Sequence, residues 1–225
     1  MGCGNGRHSI ELAKAGFNVI GIDYNDNFIR FAEEEARKLG GNNIPKFYQG
    51  DCRDIKLDQL FDIVICLYDV IGSYIDNTEN IKILKTIYNR LKNGGKAVIS
   101  VMNYELTKNV AKKFFSLKTE SNMLLKLPAS QTMEKTGDIF NPEYFIIERD
   151  TSIVYRKEQF LKGSSIPTEL IVRDKRFTKE EITCMCSEVG LRVISAQYVC
   201  AGKWDRPLSS NDEKAKEILL ICEKS

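Results

Sequence analysis

Three glycines near the start of the chain have the spacing of a ligand-binding turn. Gly2, Gly4 and Gly6 lie in GCGNG, directly before a segment with helical periodicity. A glycine turn lets the backbone approach a ligand without a Cβ in the way, and the N-terminus of the following helix supplies free N–H groups. The third glycine comes one residue too early for the dinucleotide pattern G-x-G-x-x-G. Taken alone, the segment fits a plain tight turn equally well.

Two carboxylates follow strand-like segments farther along the chain. Asp23 ends FNVIGID, seventeen residues after Gly6, and Asp51 ends IPKFYQGD. At the carboxyl end of a parallel strand, a carboxylate can accept hydrogen bonds from both ribose hydroxyls, and a second one suits an adenine amino group. The next strand-like segment ends at Leu67 and Tyr68, at the same predicted edge. We therefore expect a nucleoside-type ligand there, in preference to aspartates that merely cap loops.

Alternating strand-like and helical segments position these residues. Up to about Met102, apolar runs such as FDIVICLYDVIGSY alternate with amphipathic segments such as TENIKILKTIYNRLKNGG. This alternation indicates βαβ units and a parallel sheet. In the second helix, the spacing predicts that Phe28, Phe31, Ala32, Glu35 and Leu39 lie near one another on the helix.

The pattern changes between residues 104 and 175. A helical stretch, ELTKNVAKKFFSLKTESNMLLKL, is expected first, followed by segments whose alternation suits antiparallel strands. The stretch is short for a core of its own, so we predict an inserted lid within one domain, 1–225, whose core comprises 1–103 and 176–225. The α/β pattern then resumes with a helix that Thr178 and Glu181 cap reciprocally, followed by the strands LRVISAQYV and KEILLICEK.

Composition excludes several classes of function. The 33 basic and 31 acidic residues leave a net charge of +2, so no global charge attracts the chain to nucleic acid or to an anionic membrane. No two of the seven cysteines have zinc spacing and His8 is the only histidine, so no metal site is predicted. Free cysteines in apolar runs favour a reduced, cytoplasmic compartment. The apolar segments are strand-length, which predicts no membrane span.

The motifs together resemble a known family. GCGNGRHSIELAKAGFNVIGIDYN is similar to the first motif and following strand of class I S-adenosylmethionine-dependent methyltransferases. QGDCRDI, FDIVICLYDVIGSY, RLKNGGKAVIS and RFTKEEITCMCSEVGLRVISAQY resemble the later motifs in the family's order. The resemblance implies an α/β fold: a Rossmann-like, doubly wound, mostly parallel sheet of seven strands with a C-terminal antiparallel hairpin. The inserted antiparallel β lid would be an addition to it.

The resemblance also implies the cofactor, S-adenosyl-L-methionine, and its site. It assigns the glycine turn to the methionine moiety, Asp23 to the ribose, Asp51 and Cys52 to adenine, and Leu67 and Tyr68 to the wall beside the sulfonium. The complete set of expected cofactor-binding residues is Gly2, Cys3, Gly4, Asn5, Arg7, Asp23, Tyr24, Asp51, Cys52, Leu67 and Tyr68.

The chain departs from this family at its start. Family members have an apolar strand immediately before G-C-G, and that strand is the central one of the sheet. We therefore expect a gap in the middle of the sheet, with unpaired N–H and C=O groups on the strands at both sides. We also hypothesise that these 225 residues are a fragment of a longer product.

Methyl transfer from a sulfonium needs mostly positioning and desolvation, and the sequence names no catalytic residue. We interpret His8 as structural or cofactor-side in preference to a general base.

The lid's mixed charge favours a small-molecule N, O or C acceptor. An RNA methyltransferase, a non-catalytic cofactor-binding module and a homodimer stay open, whereas the glycine spacing disfavours an NAD-dependent oxidoreductase. The residues that could face an acceptor are Tyr68, Asp69, Tyr74 and Tyr104.

Overall fold

The computed structural model describes residues 1–40, 43–118, 120–130, 141–160, 168–200 and 202–225. The first half of the core alternates helices and strands, as the sequence predicts. A 3-10 turn, Tyr68–Val70, follows the third strand. The elements are α1 (Arg7–Lys14), β1 (Ile20–Asp23), α2 (Asp26–Arg37), β2 (Lys46–Gln49), β3 (Phe61–Cys66), α3 (Asn77–Arg90) and β4 (Leu91–Met102).

The inserted segment and the C-terminal part of the core follow. The insertion contains α4 (Tyr104–Val110), β5 (Phe114–Phe115), α5 (Asn122–Lys126), β6 (Ala129–Ser130), β7 (Phe145–Glu148), β8 (Ile153–Phe160) and β9 (Thr168–Lys175). The core resumes with α6 (Lys179–Glu188), β10 (Leu191–Cys200), β11 (Lys203–Leu208) and β12 (Glu217–Lys224).

The core strands form two sheets. β1 and β2 pair in parallel. The other sheet has the order β11-β10-β12-β4-β3, with β3 and β4 parallel and the remaining pairs antiparallel. The antiparallel pairing of β10 with β12 confirms the predicted C-terminal hairpin, and β11 from the connecting loop adds an outer strand. The fold is therefore the expected α/β arrangement of parallel strands with an antiparallel end.

A cleft separates β1 from β3. Within the described part of the chain, β1 pairs only with β2 and β3 only with β4, so each presents an unpaired edge to the cleft. The cleft is a cavity of about 590 Å³ whose walls include Leu12, Phe17 and Ile63. This confirms the expected gap in the middle of the sheet.

The first residues of the chain bridge the two sheets at the end of this cleft. The amino group of Met1 donates to the carbonyl of Ile65 in β3, at 2.7 Å. The N–H of Cys3 donates to the carbonyl of Ile22 in β1, at 2.8 Å. The glycine turn is thereby fixed to both sheets through its own backbone.

Packing on one face of the five-stranded sheet forms the largest apolar core. Leu84 and Ile87 of α3 and Ile182 of α6 are fully buried against Ile99 and Ile218 of the sheet. Thr178 caps α6, since its hydroxyl accepts a hydrogen bond from the N–H of Glu181 at 3.1 Å. The Glu181 carboxylate does not complete the predicted capping box: it accepts from Asn77 and pairs with Lys175.

Helix α2 buries a face of small and aliphatic side chains. Ile29, Ala32 and Ala36 are buried, whereas the side chains of Phe28 and Phe31 are each 47% exposed. Of the residues expected near one another on this helix, Ala32 is therefore buried and the two phenylalanines are not. The small side chain of Ala32 lets the helix approach Gly6 closely, which a large aromatic ring at that position would prevent.

The insertion begins with two short helices, not the long one expected. The segment between α4 and α5 extends so that Phe114 and Phe115 pair with β7. Phe115 is fully buried and packs edge to face on Tyr155, with ring centroids 5.2 Å apart. Tertiary burial overrides the helical propensity of the segment here. The antiparallel pairing of β7 with β8 and of β8 with β9 confirms the expected strand pattern.

Candidate functional site

The three glycines of the turn have different structural roles. Gly4 has a φ of +52°, and a Cβ there would meet no atom within 4 Å, so this residue faces open space. Gly6 has a φ of +80°, and a Cβ there would lie 2.7 Å from the Cβ of Ala32 and 3.0 Å from the Phe47 ring. A Cβ on Gly2 would collide with Val70. Gly4 therefore leaves room for a ligand, while Gly2 and Gly6 permit close packing around the turn.

Asp23 lies against the glycine turn, as predicted. The N–H of Gly4 donates to Asp23 Oδ2 at 2.7 Å, and the N–H of Asn25 donates to Oδ1 at 2.9 Å. A carboxylate offers about four acceptor positions, so each oxygen keeps capacity for another donor. The open cradle at Gly4 and the oriented carboxylate together fit the vicinal diol and adjoining chain of a nucleoside-type cofactor.

Asp51 is held by an arginine that the sequence analysis did not single out. Arg53 Nε donates to both Asp51 oxygens at 3.0 Å, and its guanidinium also contacts Glu79. These hydrogen bonds lower the pKa of Asp51. The guanidinium carbon lies 4.4 Å from the centroid of the Tyr74 ring. The adenine contact expected of Asp51 stays a prediction. An adenine amino group bound there would share the Asp51 carboxylate with Arg53.

The two cysteines of the predicted site are neutral thiols. Burial raises the pKa of Cys3 to about 12 and also raises that of Cys52. Cys3 lies in the apolar cluster around α2, and Cys52 packs on the main core. Both thiols therefore act as small apolar side chains at the inner wall of the turn.

Tyr68 follows β3 and is the residue that the five-stranded sheet contributes to the site. Its φ is 61°, a left-handed conformation that costs a non-glycine residue about 1–2 kcal/mol. Its N–H donates to Ser100 Oγ at 2.8 Å, which fixes the strained residue to β4. Its ring centroid lies 6.3 Å from that of His8. Leu67, which precedes it, is half-buried at the end of β3.

His8 and the remaining predicted residues lie at the outer rim. Burial and the neighbouring charge of Arg7 lower the pKa of His8, which keeps its imidazole neutral near pH 7. Asn5 and Arg7 are exposed, and the Tyr24 side chain is 75% exposed. The cofactor contacts expected of these three residues stay predictions.

Sequence reasoning missed three polar residues around the site. The spacing of Asp51 and Arg53 in QGDCRDI would have indicated their ion pair, since a two-residue separation in a turn brings such side chains together. Ser100 and Glu217 gave no local signal, because only the pairing of β4 with β12, in which Glu217 lies opposite Met102 and Ser100 opposite Leu219, brings them to the same end of the sheet. No group of His, Cys, Asp and Glu side chains suited to a metal ion occurs among the described residues. Across those same residues, no helix is long and apolar enough to cross a membrane.

Most of the chain matches a known protein family. A model described as a methyltransferase domain matches residues 1–160, well over half of the chain. Among curated proteins, the ubiquinone biosynthesis O-methyltransferase of Rickettsia felis is 32% identical over 104 residues, covering 46% of this chain and 40% of that protein. The aligned part therefore spans less than half of that relative's length.

Solved structures share the fold. A crystal structure of an S-adenosylmethionine-dependent methyltransferase from Clostridium acetobutylicum has a TM-score of 0.70 at 16% identity, covering 100% of this chain and 82% of that one. The CcbJ methyltransferase from Streptomyces caelestis has a TM-score of 0.72 at 14% identity, with coverage of 100% and 81%. At these identities the likeness establishes the architecture alone.

Proposed function

The chain belongs to the methyltransferase-domain family, and on that premise we propose that it transfers a methyl group from S-adenosyl-L-methionine to a small organic acceptor. When bound, this cofactor supplies the electrophilic methyl carbon. The observation that supports the proposal most directly is the Gly4–Asp23 contact, which holds an open glycine cradle beside an oriented carboxylate with spare acceptor positions.

The chain's own residues would position and desolvate the reactants. Asp23 would accept the ribose hydroxyls, and Gly4 would admit the adjoining chain without a Cβ in the way. Tyr68 and Leu67 would form the wall beside the methyl group, while the neutral thiols of Cys3 and Cys52 would exclude water. No residue is required to act on the methyl carbon, because in-line transfer depends on alignment.

Two observations favour a small acceptor over RNA. Several basic side chains on the described part of the insertion pair with acidic ones, as in Lys112 with Glu143 and Lys157 with Glu169. A polyanion would instead be met by unbalanced positive charge. The Rickettsia relative is named as an O-methyltransferase of ubiquinone biosynthesis, which indicates a small-molecule acceptor for that protein.

The first test is a thermal-shift titration with S-adenosylhomocysteine and, separately, with NADH. At a hundredfold excess over its dissociation constant, a specific ligand adds about 2.7 kcal/mol to the free energy of unfolding. We expect stabilisation by S-adenosylhomocysteine and none by NADH. Stabilisation by NADH alone would contradict the proposal and favour an oxidoreductase.

A second test addresses the acceptor. The protein is incubated with methyl-labelled S-adenosylmethionine and with the small-molecule or the RNA fraction of a cell extract. We expect label in the small-molecule fraction. Label in the RNA fraction would establish the RNA-modifying alternative, and cofactor binding with no label in either fraction would favour a non-catalytic binding module.

A further inference from the structure

Asp51 lies close to Asp23 at the ligand-facing end of the two-stranded sheet. Asp23 is opposite Gln49 in the parallel register of β1 and β2, and the N–H of Gly50 donates to the carbonyl of Asp23 at 2.9 Å. Asp51 is the next residue. A ligand whose ribose contacts Asp23 can therefore place its base near Asp51.

A single residue, Arg53, uses most of the hydrogen-bonding capacity of the Asp51 carboxylate. The backbone N–H of Arg53 donates to Oδ1 at 2.9 Å, Nε donates to both oxygens at 3.0 Å, and Nη2 donates to Oδ2 at 2.5 Å. A carboxylate has about four acceptor positions. These four contacts leave little capacity for another donor, and the positive guanidinium offsets the charge of the carboxylate.

Other elements hold the Arg53 side chain in this position. Its Nη1 donates to Glu79 in the first turn of α3, and its guanidinium carbon lies 4.4 Å from the centroid of the Tyr74 ring. The hydroxyl of Thr86, farther along α3, donates to the carbonyl of Arg53 at 2.8 Å. The side chains of Asp51, Arg53 and Glu79 are 20%, 32% and 23% exposed. Arg53 is therefore partly withdrawn from water and fixed on Asp51 from several sides.

An adenine amino group would have to compete with this arginine for Asp51. The guanidinium binds the carboxylate through a charged, bidentate contact, whereas the amino group is a single neutral donor. Displacement of Arg53 would also disturb its contacts with Glu79 and Tyr74. The amino group therefore gains little from Asp51 while Arg53 is in place.

Asp23 is held differently. One of its oxygens accepts from the N–H of Gly4 and the other from the N–H of Asn25, and both donors are neutral backbone groups. Asp23 thus keeps acceptor capacity for the ribose hydroxyls. Of two carboxylates at one edge of the sheet, one is open to a ligand and the other is already bound by the protein.

Resting on the proposed function, we propose that Arg53 sets the base selectivity of the cofactor site. By occupying the Asp51 carboxylate, it removes the advantage that the amino group of adenine would otherwise have there. The site should therefore hold a cofactor whose purine lacks this amino group almost as tightly as the adenine form. Arg53 acts through Asp51, so it is a positioning residue.

The test compares two ligands by isothermal titration calorimetry on the full chain. One is S-adenosylhomocysteine, and the other is its nebularine analogue, in which a hydrogen atom replaces the amino group of adenine. We expect the two dissociation constants of the wild type to lie within about threefold of each other, because an amino group without a free acceptor adds little to the binding free energy.

Arg53→Met removes the guanidinium and leaves the Asp51 carboxylate free to accept from the amino group. This variant should bind S-adenosylhomocysteine about tenfold more tightly than the analogue, since the hydrogen bond is then made to an unshared charged group. Arg30→Met is the matched control: it removes an exposed arginine that pairs with Asp26 in α2, and it should keep the wild-type ratio.

Arg53→Lys replaces Arg53→Met in the comparison if the latter does not fold. It keeps the positive charge but cannot form the bidentate contact, so its ratio should lie between those of the wild type and Arg53→Met.

The ratio of the two affinities decides the matter, because a purely structural role of Arg53 would change both affinities equally. A wild-type preference for S-adenosylhomocysteine of about tenfold or more would overturn the proposal. An unchanged ratio in the Arg53 variants would overturn it as well. Absence of binding of either ligand to the wild type would instead contradict the proposed cofactor, so the two failures are distinguishable.

Discussion

The carboxyl groups at the ligand-facing edge of the sheets are held in two contrasting ways. Beside β1, Asp23 is half-buried and each oxygen accepts a backbone N–H, in a turn that glycines allow to pack closely. Beside β4 and β12, Asp69 and Glu217 have buried oxygens without partners among the described residues. The Asp23 side is assembled by backbone hydrogen bonds, whereas the carboxyl groups of Asp69 and Glu217 are shaped mainly by burial. The two sides should therefore respond differently to substitution and to pH.

Substitution of a packed glycine on the assembled side should have the largest effect on the free energy of unfolding. Gly6→Ala should lower the free energy of unfolding by about 2–5 kcal/mol, because overpacking and a left-handed alanine each carry a cost. Gly4→Ala is the matched control: it shares the positive φ but meets no atom, so it should cost only about 1–2 kcal/mol. Urea unfolding of both variants measures the difference. Equal destabilisation would show that the close approach of Gly6 to Ala32 is not a constraint.

The buried carboxyl group of Glu217 should make the stability of the protein depend on pH. Glu217 has an ordinary pKa of 4.5, raised to about 7 in the folded protein. Between these values the folded state holds a proton that the unfolded state releases, so stability falls as the pH rises, by about 3 kcal/mol. Urea unfolding at pH 5 and pH 8 should show this fall in the wild type and a smaller one in Glu217→Gln.

Glu223→Gln provides the control for this measurement. Lys96 and Arg192 lower the pKa of Glu223, so its contribution to stability is lost only as the pH falls below its ordinary range. That variant should keep the full difference between pH 5 and pH 8. The same difference in Glu217→Gln as in the wild type would show that Glu217 does not titrate in this interval.

Ligand binding on the assembled side should depend on the charge of Asp23. Asp23→Asn retains the shape of the side chain but replaces one acceptor oxygen by a donor amide. We expect S-adenosylhomocysteine to bind about 10–100-fold more weakly, as hydrogen bonds to a charged group are worth about 1.5–3 kcal/mol. Isothermal titration calorimetry measures the loss, with the exposed Asp58→Asn as control. Unchanged affinity in Asp23→Asn would remove Asp23 from the site.

His8 lies near Tyr68, where the two sides meet, and should have the smallest effect. A general base contributes about 10²–10⁴-fold to a rate, whereas His8→Asn should lower methyl transfer by less than about tenfold. The lowered pKa of His8 follows from partial burial and Arg7, and the 6.3 Å ring separation from Tyr68 shows that it flanks the site. Initial rates across pH 6 to 9 provide the measurement. A loss above a hundredfold would identify His8 as the base.

Local sequence patterns predicted the elements better than their contacts. The glycine turn and Asp23 could be paired from sequence because the strand and helix between them have fixed lengths. The buried face of α2 could not be predicted because two apolar stripes share the helical period, and only the close approach of Ala32 to Gly6 decides between them. The split helix of the insertion depends on the pairing of Phe114 and Phe115 with β7. The position of Glu217 depends on its pairing with Met102, more than a hundred residues earlier in the chain. No local sequence pattern contains either pairing.

The cleft between β1 and β3 has a mechanical consequence. Asp23 belongs to one sheet and Tyr68 follows the other, and the described strands are joined across the cleft through the short bridge made by Met1 and Cys3. A cofactor that touches both residues would brace two separately paired sheets against each other. Its arrival should therefore slow amide hydrogen exchange along the facing edges of β1 and β3, well beyond the atoms it contacts.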